Sequence, residues 1–114
     1  MIVRTIVQAL DLQIVAGHAA LERPITGGYC ADLLSCVMAR AKANNVWITL
    51  QAHPNVLAVA VLLELAAVIV TEGIQPDATT CQKAQAEEVI VLSSPHTTYA
   101  VVARLAALGV AASE

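Results

Sequence analysis

The chain has 114 residues, 58% of them hydrophobic and 13% charged, and a formal net charge of −3. That length suits one domain, and the apolar fraction exceeds the ~45–50% usual for soluble domains. The scattered lysines and arginines form no basic stripe, which argues against nucleic acid and anionic membrane as partners. The apolar excess predicts strands buried on both faces and an apolar surface covered by a second copy, with a homodimer as the expected assembly. Cys30, Cys36 and Cys81 form no CxxC pair, and Met1 to Leu12 lacks the apolar block and cleavage site of a signal peptide. Reduced thiols in the cytoplasm are therefore expected.

In chain order, Val3, Ile6, Val7 and Leu10 follow the i, i+3, i+4, i+7 spacing of one apolar helix face. Gln13 to Ala16 is a short strand closed by Gly17. Leu21 to Arg23 is a loop, and Pro24 pushes Arg23 toward an extended conformation. Ile25 to Asp32 is a strand loosened in its middle by Gly27-Gly28, where a bulge or a close backbone approach is expected. Ser35 is the predicted cap of a helix from Cys36 to about Ala43, and Asn44-Asn45 makes a turn. Val46 to Gln51 is a strand by its residue types. Asn55 is the predicted cap of a helix from Val56 to Leu65, and Ala66 to Thr71 is a continuous apolar strand of the kind found in the middle of a parallel sheet.

The apolar run from Val56 to Val70 is too short for a membrane span. As a helix it would cover only ~22 Å of a hydrocarbon core of ~30 Å, and Glu64 interrupts it. Beyond it, Glu72-Gly73 turns the chain and Asp77 caps a helix from Ala78 to Glu88. Val89 to Leu92 is a strand ending in Ser93-Ser94. Thr97 caps a last helix, Thr98 to Leu108, that Gly109 ends in the left-handed conformation. Val110 to Glu114 reads as a loose C-terminal tail beyond a single domain of residues 1–109.

Strands separated by helices imply right-handed crossovers and a mostly parallel sheet with helices on both faces, an α/β fold. In such sheets ligands gather outside the carboxyl ends of the strands. Here those ends carry Gln51 and His53, then Thr71, Glu72 and Gly73, then Ser93 and Ser94, a concentration of polar residues in an otherwise apolar chain.

The stretch Glu22-Arg23-Pro24-Ile25-Thr26-Gly27-Gly28-Tyr29 resembles the signature of the DRTGG domain family, with Glu22 in place of the leading aspartate. The likeness continues through Ala31-Asp32-Leu33-Leu34, Trp47-Ile48-Thr49 with Gln51 and His53, the Ala66 to Gly73 strand and Pro76-Asp77. It covers most of the chain and is similar to the free-standing, single-domain members. The resemblance implies a fold like the N-terminal domain of HPr kinase/phosphorylase and a regulatory role, with no ligand settled. It also implies, for free-standing members, an association with iron-only hydrogenase components.

A kinase activity does not follow from that likeness, because the chain has no GxxxxGK[ST] loop and hence no Walker lysine. No nucleophile–base pair stands out, although His53, Glu72 and Asp32 are the best candidates if chemistry occurs. His18, His53 and His96 show no metal-binding spacing, and neither metal nor cofactor is expected. Thr26-Gly27-Gly28 has two readings: backbone N–H groups forming an anion nest, or glycines that let a neighbouring element pack closely, which is favoured. Arg23 could pair with a ligand phosphate or, preferably, with Glu22, Asp32 or a dimer mate. Tyr29 is a candidate contact, and Trp47 is expected in the core or at an interface.

The expectation is therefore a non-catalytic regulatory or sensor module. It would bind a small anionic ligand, for which an adenine nucleotide is one candidate, through Arg23, Thr26, Gly27, Gly28, Tyr29, Asp32, Gln51, His53, Thr71, Glu72 and Gly73. The alternative is a protein-interaction module docking on a hydrogenase-associated redox or signalling partner.

Overall fold

Central strands buried at every position, on both faces, dictate the layering. The computed structural model describes residues 1–114. It contains β1 (Gln13–Ala16), β2 (Gly27–Cys30), β3 (Asn45–Thr49), β4 (Ala67–Val70) and β5 (Val91–Ser93), with α1 (Val3–Leu10), α2 (Leu34–Arg40), α3 (Asn55–Leu62), α4 (Ala78–Ala86) and α5 (Thr98–Leu108). The sheet order is β1-β5-β4-β3-β2. β2 to β5 run parallel, and β1 pairs antiparallel with β5 through a register shift between Ile14 and Ala16.

Val46, Ile48, Ala67, Ile69 and Leu92 point to one face, where Val3, Ile6 and Leu10 of α1 and Val101 and Leu105 of α5 cover them. Trp47, Val68, Val70 and Val91 point to the other, beneath Val37 of α2, Val56, Leu57 and Ala60 of α3, and Ala84 of α4. A sheet sandwiched this way needs strands that are apolar on both sides, which is where the chain's high apolar content goes. Trp47 is fully buried, and its indole N–H donates to the Ala31 carbonyl at 2.8 Å. No helix is long and apolar enough to cross a membrane.

Several element ends differ from the expectation. α2 begins at Leu34 with no side-chain cap, so Ser35 lies inside the first turn rather than capping it. Asn55 is likewise inside α3, because Pro54, with φ −54°, already holds a helical conformation before it. The pairing of β2 with β3 is continuous from Gly27 to Cys30, so Gly27-Gly28 forms no bulge. The segment 110–114 is not loose. Gly28 N–H donates to the Ala111 carbonyl at 2.8 Å, Ser113 N–H donates to the Gly28 carbonyl at 3.2 Å, and Val110 is buried. This segment runs parallel to β2 and joins it through a single Gly28–Ala112 bridge.

Two caps match the expectation. Thr97 accepts from Ala100 N–H, and Asp77 accepts from Thr80 N–H at 2.7 Å. That second bond, chiefly through the Thr80 backbone, holds the Asp77 carboxyl below its ordinary pKa. Its stabilising effect is thus present above the unfolded aspartate value, ~3.9, and is lost as pH falls through the lower folded value. Asp77→Ala should lower the melting temperature at pH 7, and the gap to the native chain should close as the pH falls below 4. Ile69→Ala, at a fully buried central position, should cost about 2–5 kcal/mol, read from urea unfolding as a lower midpoint at unchanged slope.

Candidate functional site

The residues singled out in the sequence separate into two groups at opposite ends of the sheet. Arg23, Thr26 and Gly27 lie where β2 and β3 begin. Asp32, Gln51, His53, Thr71, Glu72 and Gly73 follow the carboxyl ends of β2, β3 and β4. Gly28 and Tyr29 lie between them on β2.

At the starting end the polar side chains are occupied in holding turns. Arg23 donates from Nη2 to the Glu64 carbonyl at 2.8 Å and from Nε to Asn44 Oδ1 at 3.3 Å. Asn44 and Glu64 both have positive φ, 63° and 56°, a conformation that non-glycine residues adopt only at a cost. Thr26 donates its hydroxyl to the Ala43 carbonyl at 2.9 Å and accepts from the buried Asn45 amide at 3.2 Å. Glu22 forms an ion pair with Arg4 of α1, exposed enough to contribute little.

Gly27 and Gly28 face the segment 110–114. A Cβ on Gly27 would lie 3.1 Å from the Ala111 carbonyl oxygen, and one on Gly28 would lie 3.4 Å from a Val110 methyl. Neither glycine has positive φ. They therefore permit close strand approach instead of forming a nest. The whole signature stretch acts as a clamp joining α1, the turn before β3, the turn before β4 and the final segment.

At the carboxyl ends the polar groups also satisfy one another. Asp32 Oδ1 accepts from the Thr49 hydroxyl at 2.9 Å and from Leu50 N–H at 2.7 Å, and Gln51 donates to the Asp32 carbonyl at 3.2 Å. His53 Nδ1 accepts from Asn55 N–H at 3.1 Å, at the start of α3. Thr71 and Thr98 hydroxyls are 2.6 Å apart. Glu72 Oε2 accepts from Thr98 N–H at 2.7 Å, so a carboxylate of the chain itself already takes the anion-favouring start of α5. Gly73, with φ 74°, and Glu72, with φ 62°, make the turn that aims it.

None of these bonds pairs a nucleophile with a base. No cluster of His, Cys, Asp or Glu side chains is arranged to hold a metal ion.

The largest cleft, about 520 Å³, lies elsewhere, along the free side of β2. Arg40 at the end of α2 and Lys42 line it beside Tyr29, Ala112, Ser113 and Glu114. A smaller apolar cleft of about 190 Å³ opens on the opposite face of the same strand, lined by Ile48, Val102, Leu105 and Val110 among others. Tyr29 fixes the first cleft by donating its hydroxyl to the Cys36 carbonyl at 3.3 Å. Arg40, Lys42 and Ser113 were not legible as a group. The two cations are separated only by Ala41, but the segment that completes their cleft is some 70 residues away in the chain.

Cys30 borders both clefts, and burial followed by the Asp32 charge raises its thiol pKa. The thiolate is the reactive form, so Cys30 should alkylate slowly at pH 7 despite its exposure. Asp32→Asn should speed iodoacetamide labelling of Cys30, measured by mass spectrometry, because it removes a neighbouring negative charge.

The structure is an α/β module with a hydrogen-bonded strand edge and a separate cleft lined by two cations. The sequence model of the DRTGG domain matches residues 5–108, and the chain belongs to that family. Among solved structures it is similar to the CBS and DRTGG domains of the regulatory region of Clostridium perfringens pyrophosphatase, complexed with the activator diadenosine tetraphosphate. The TM-score is 0.71 at 16% identity, over 88% of this chain and 44% of that one. The chain thus spans less than half of that regulatory region. Comparison with the curated proteins gives no match.

The clamp gives a prediction. Arg23→Ala and Thr26→Ala should each lower unfolding stability by about 0.5–1.5 kcal/mol, the net worth of ordinary hydrogen bonds at partly exposed groups. If either leaves the urea midpoint unchanged, the stretch has another role.

Proposed function

We propose that the chain is a non-catalytic regulatory module that takes up a small anionic ligand, with an adenine nucleotide as the leading class. The observation that carries this reading is the convergence of Arg40 and Lys42, two of the chain's six lysines and arginines, on its largest cleft. Guanidinium and ammonium groups together suit a phosphate. The strand-end residues are less suited to an anion, because Asp32 and Glu72 bring carboxylates there with no lysine or arginine among them, whereas in the cleft one carboxylate, Glu114, stands against two cations. Support also comes from the solved pyrophosphatase region, whose related domain belongs to a regulatory unit crystallised with a dinucleotide polyphosphate. The free thiols of Cys30, Cys36 and Cys81 suit a reducing cytoplasm.

A ligand that binds only the folded state must raise its stability, by ~2.7 kcal/mol at a hundredfold excess over Kd. AMP, ADP, ATP, diadenosine tetraphosphate and pyrophosphate at millimolar concentration should include at least one that raises the melting temperature. Arg40→Ala with Lys42→Ala should abolish that rise. If Asp32→Asn or His53→Ala abolishes it while the cation variants do not, the ligand sits at the strand ends instead.

A second reading, docking on a protein partner or a second copy, draws on apolar side chains left exposed on α2 and α3, with Leu62 65% and Val61 52% accessible. The partner would be another copy in a homodimer or a hydrogenase-associated redox or signalling protein. Light scattering of the native chain against Val61→Asp with Leu62→Asp tests the homodimer. A monomer in both cases removes it.

A further inference from the structure

We propose that the free edge of β2 is a docking site for an extended strand of a partner protein, with an apolar residue followed by an acidic one, and that residues 111–114 occupy it as a displaceable placeholder. This goes beyond the small-ligand reading, since the occupant is a polypeptide held chiefly by its backbone.

The first observation is that the edge already accepts a strand. Gly28 donates to the Ala111 carbonyl and accepts from Ser113 N–H, in parallel register with Ala112 opposite Gly28. The close approach depends on Gly27 and Gly28 having no side chains. Addition of a strand to a sheet edge takes affinity from such backbone bonds and specificity from cavities that receive alternate side chains.

Both kinds of cavity are present, one on each face of β2. Ala112 borders the apolar cleft of about 190 Å³, and Ser113 borders the cationic cleft of about 520 Å³ with Arg40 and Lys42.

The chain's own segment leaves both clefts open, although Glu114 already brings one carboxylate to the cationic cleft. Ala112 offers one methyl group where a larger side chain would gain contacts with Ile48, Val102 and Leu105. The Ser113 hydroxyl is buried with no hydrogen-bond partner, an unfavourable state that leaving the edge would relieve. Only the two backbone bonds hold residues 111–113, while Val110 is anchored separately in the core. A strand carrying Leu opposite Gly28 and Glu at the next position would fill the apolar cleft and bring a carboxylate to Arg40 and Lys42.

The test uses the full chain and a fluorescein-labelled peptide spanning residues 109–114 with Ala112→Leu and Ser113→Glu. Fluorescence anisotropy should show saturable binding at least tenfold tighter than for the unmodified peptide. Replacing Ser113→Glu by Ser113→Lys in the peptide, or introducing Arg40→Glu in the protein, should weaken it at least tenfold. Amide NMR signals of residues 111–113 should move toward disordered positions as the peptide saturates. A full chain carrying Ala112→Leu and Ser113→Glu itself should reject the peptide and melt at a higher temperature. Equal affinity for the acidic and basic peptides, unmoved 111–113 signals at saturation, or no binding at millimolar peptide overturns the proposal. So does loss of peptide binding through self-association, which would give the edge to a second copy. A melting-temperature rise with nucleotides but no peptide binding sinks this proposal alone. Peptide binding without any nucleotide effect sinks the small-ligand reading alone.

Discussion

The carbonyl oxygen of Glu64 accepts two hydrogen bonds at 2.8 Å, one from the Asn44 backbone N–H and one from the Arg23 guanidinium. Two left-handed residues in separate turns are thereby held by one another and by one side chain. Asn44 lies immediately before β3 and Glu64 three residues before β4, so their bond ties together the approaches to both strands. Thr26, bonded to Ala43 and Asn45, extends the same lock to β2. Register between parallel strands has no hairpin turn to set it, and here a polar cluster at the strand starts takes that part. The energy of each bond is modest, but their removal would affect three strands together.

This places the family signature in a structural role. A pair of glycines next to threonine and arginine suggests a phosphate loop, and the suggestion fails on conformation: neither glycine has the positive φ that an anion nest uses, and both face a neighbouring strand. The residues are conspicuous in the sequence because geometry restricts them tightly. The cleft proposed for the ligand lies beside the clamp, and its cations come from the end of α2 and the turn after it.

Much of the fold was legible from local chemistry. α5 reads directly from its Thr97 cap and Gly109 stop, α1 from its apolar spacing, β1 from its four residues before Gly17, and α4 from Asp77. Where a backbone conformation overrides side-chain preference, local signals misled: Pro54 starts α3 before Asn55 can cap it, and α2 starts from an extended Leu33 without help from Ser35. The candidate site was the least legible part. Polar residues do gather at the strand ends, but whether Asp32 and Glu72 are free or already bonded depends on Thr49, Leu50 and Thr98, contacts between distant stretches. The pairing of Gly28 with Ala112 is of the same kind, because Ala111 to Ser113 carries no strand pattern of its own and is hydrogen-bonded only to the edge it meets.

The single tryptophan occupies an informative position. Trp47 lies on β3 directly opposite Tyr29 of β2, is fully buried, and hydrogen-bonds to the Ala31 carbonyl just beyond the end of β2. Indole emission depends on the polarity and hydrogen bonding of its surroundings, and this indole is tied to the strand that borders both clefts. The chain thus carries a native optical probe at the proposed docking edge, with no other tryptophan to obscure it. Events at β2 can be followed through this one indole in the unlabelled protein.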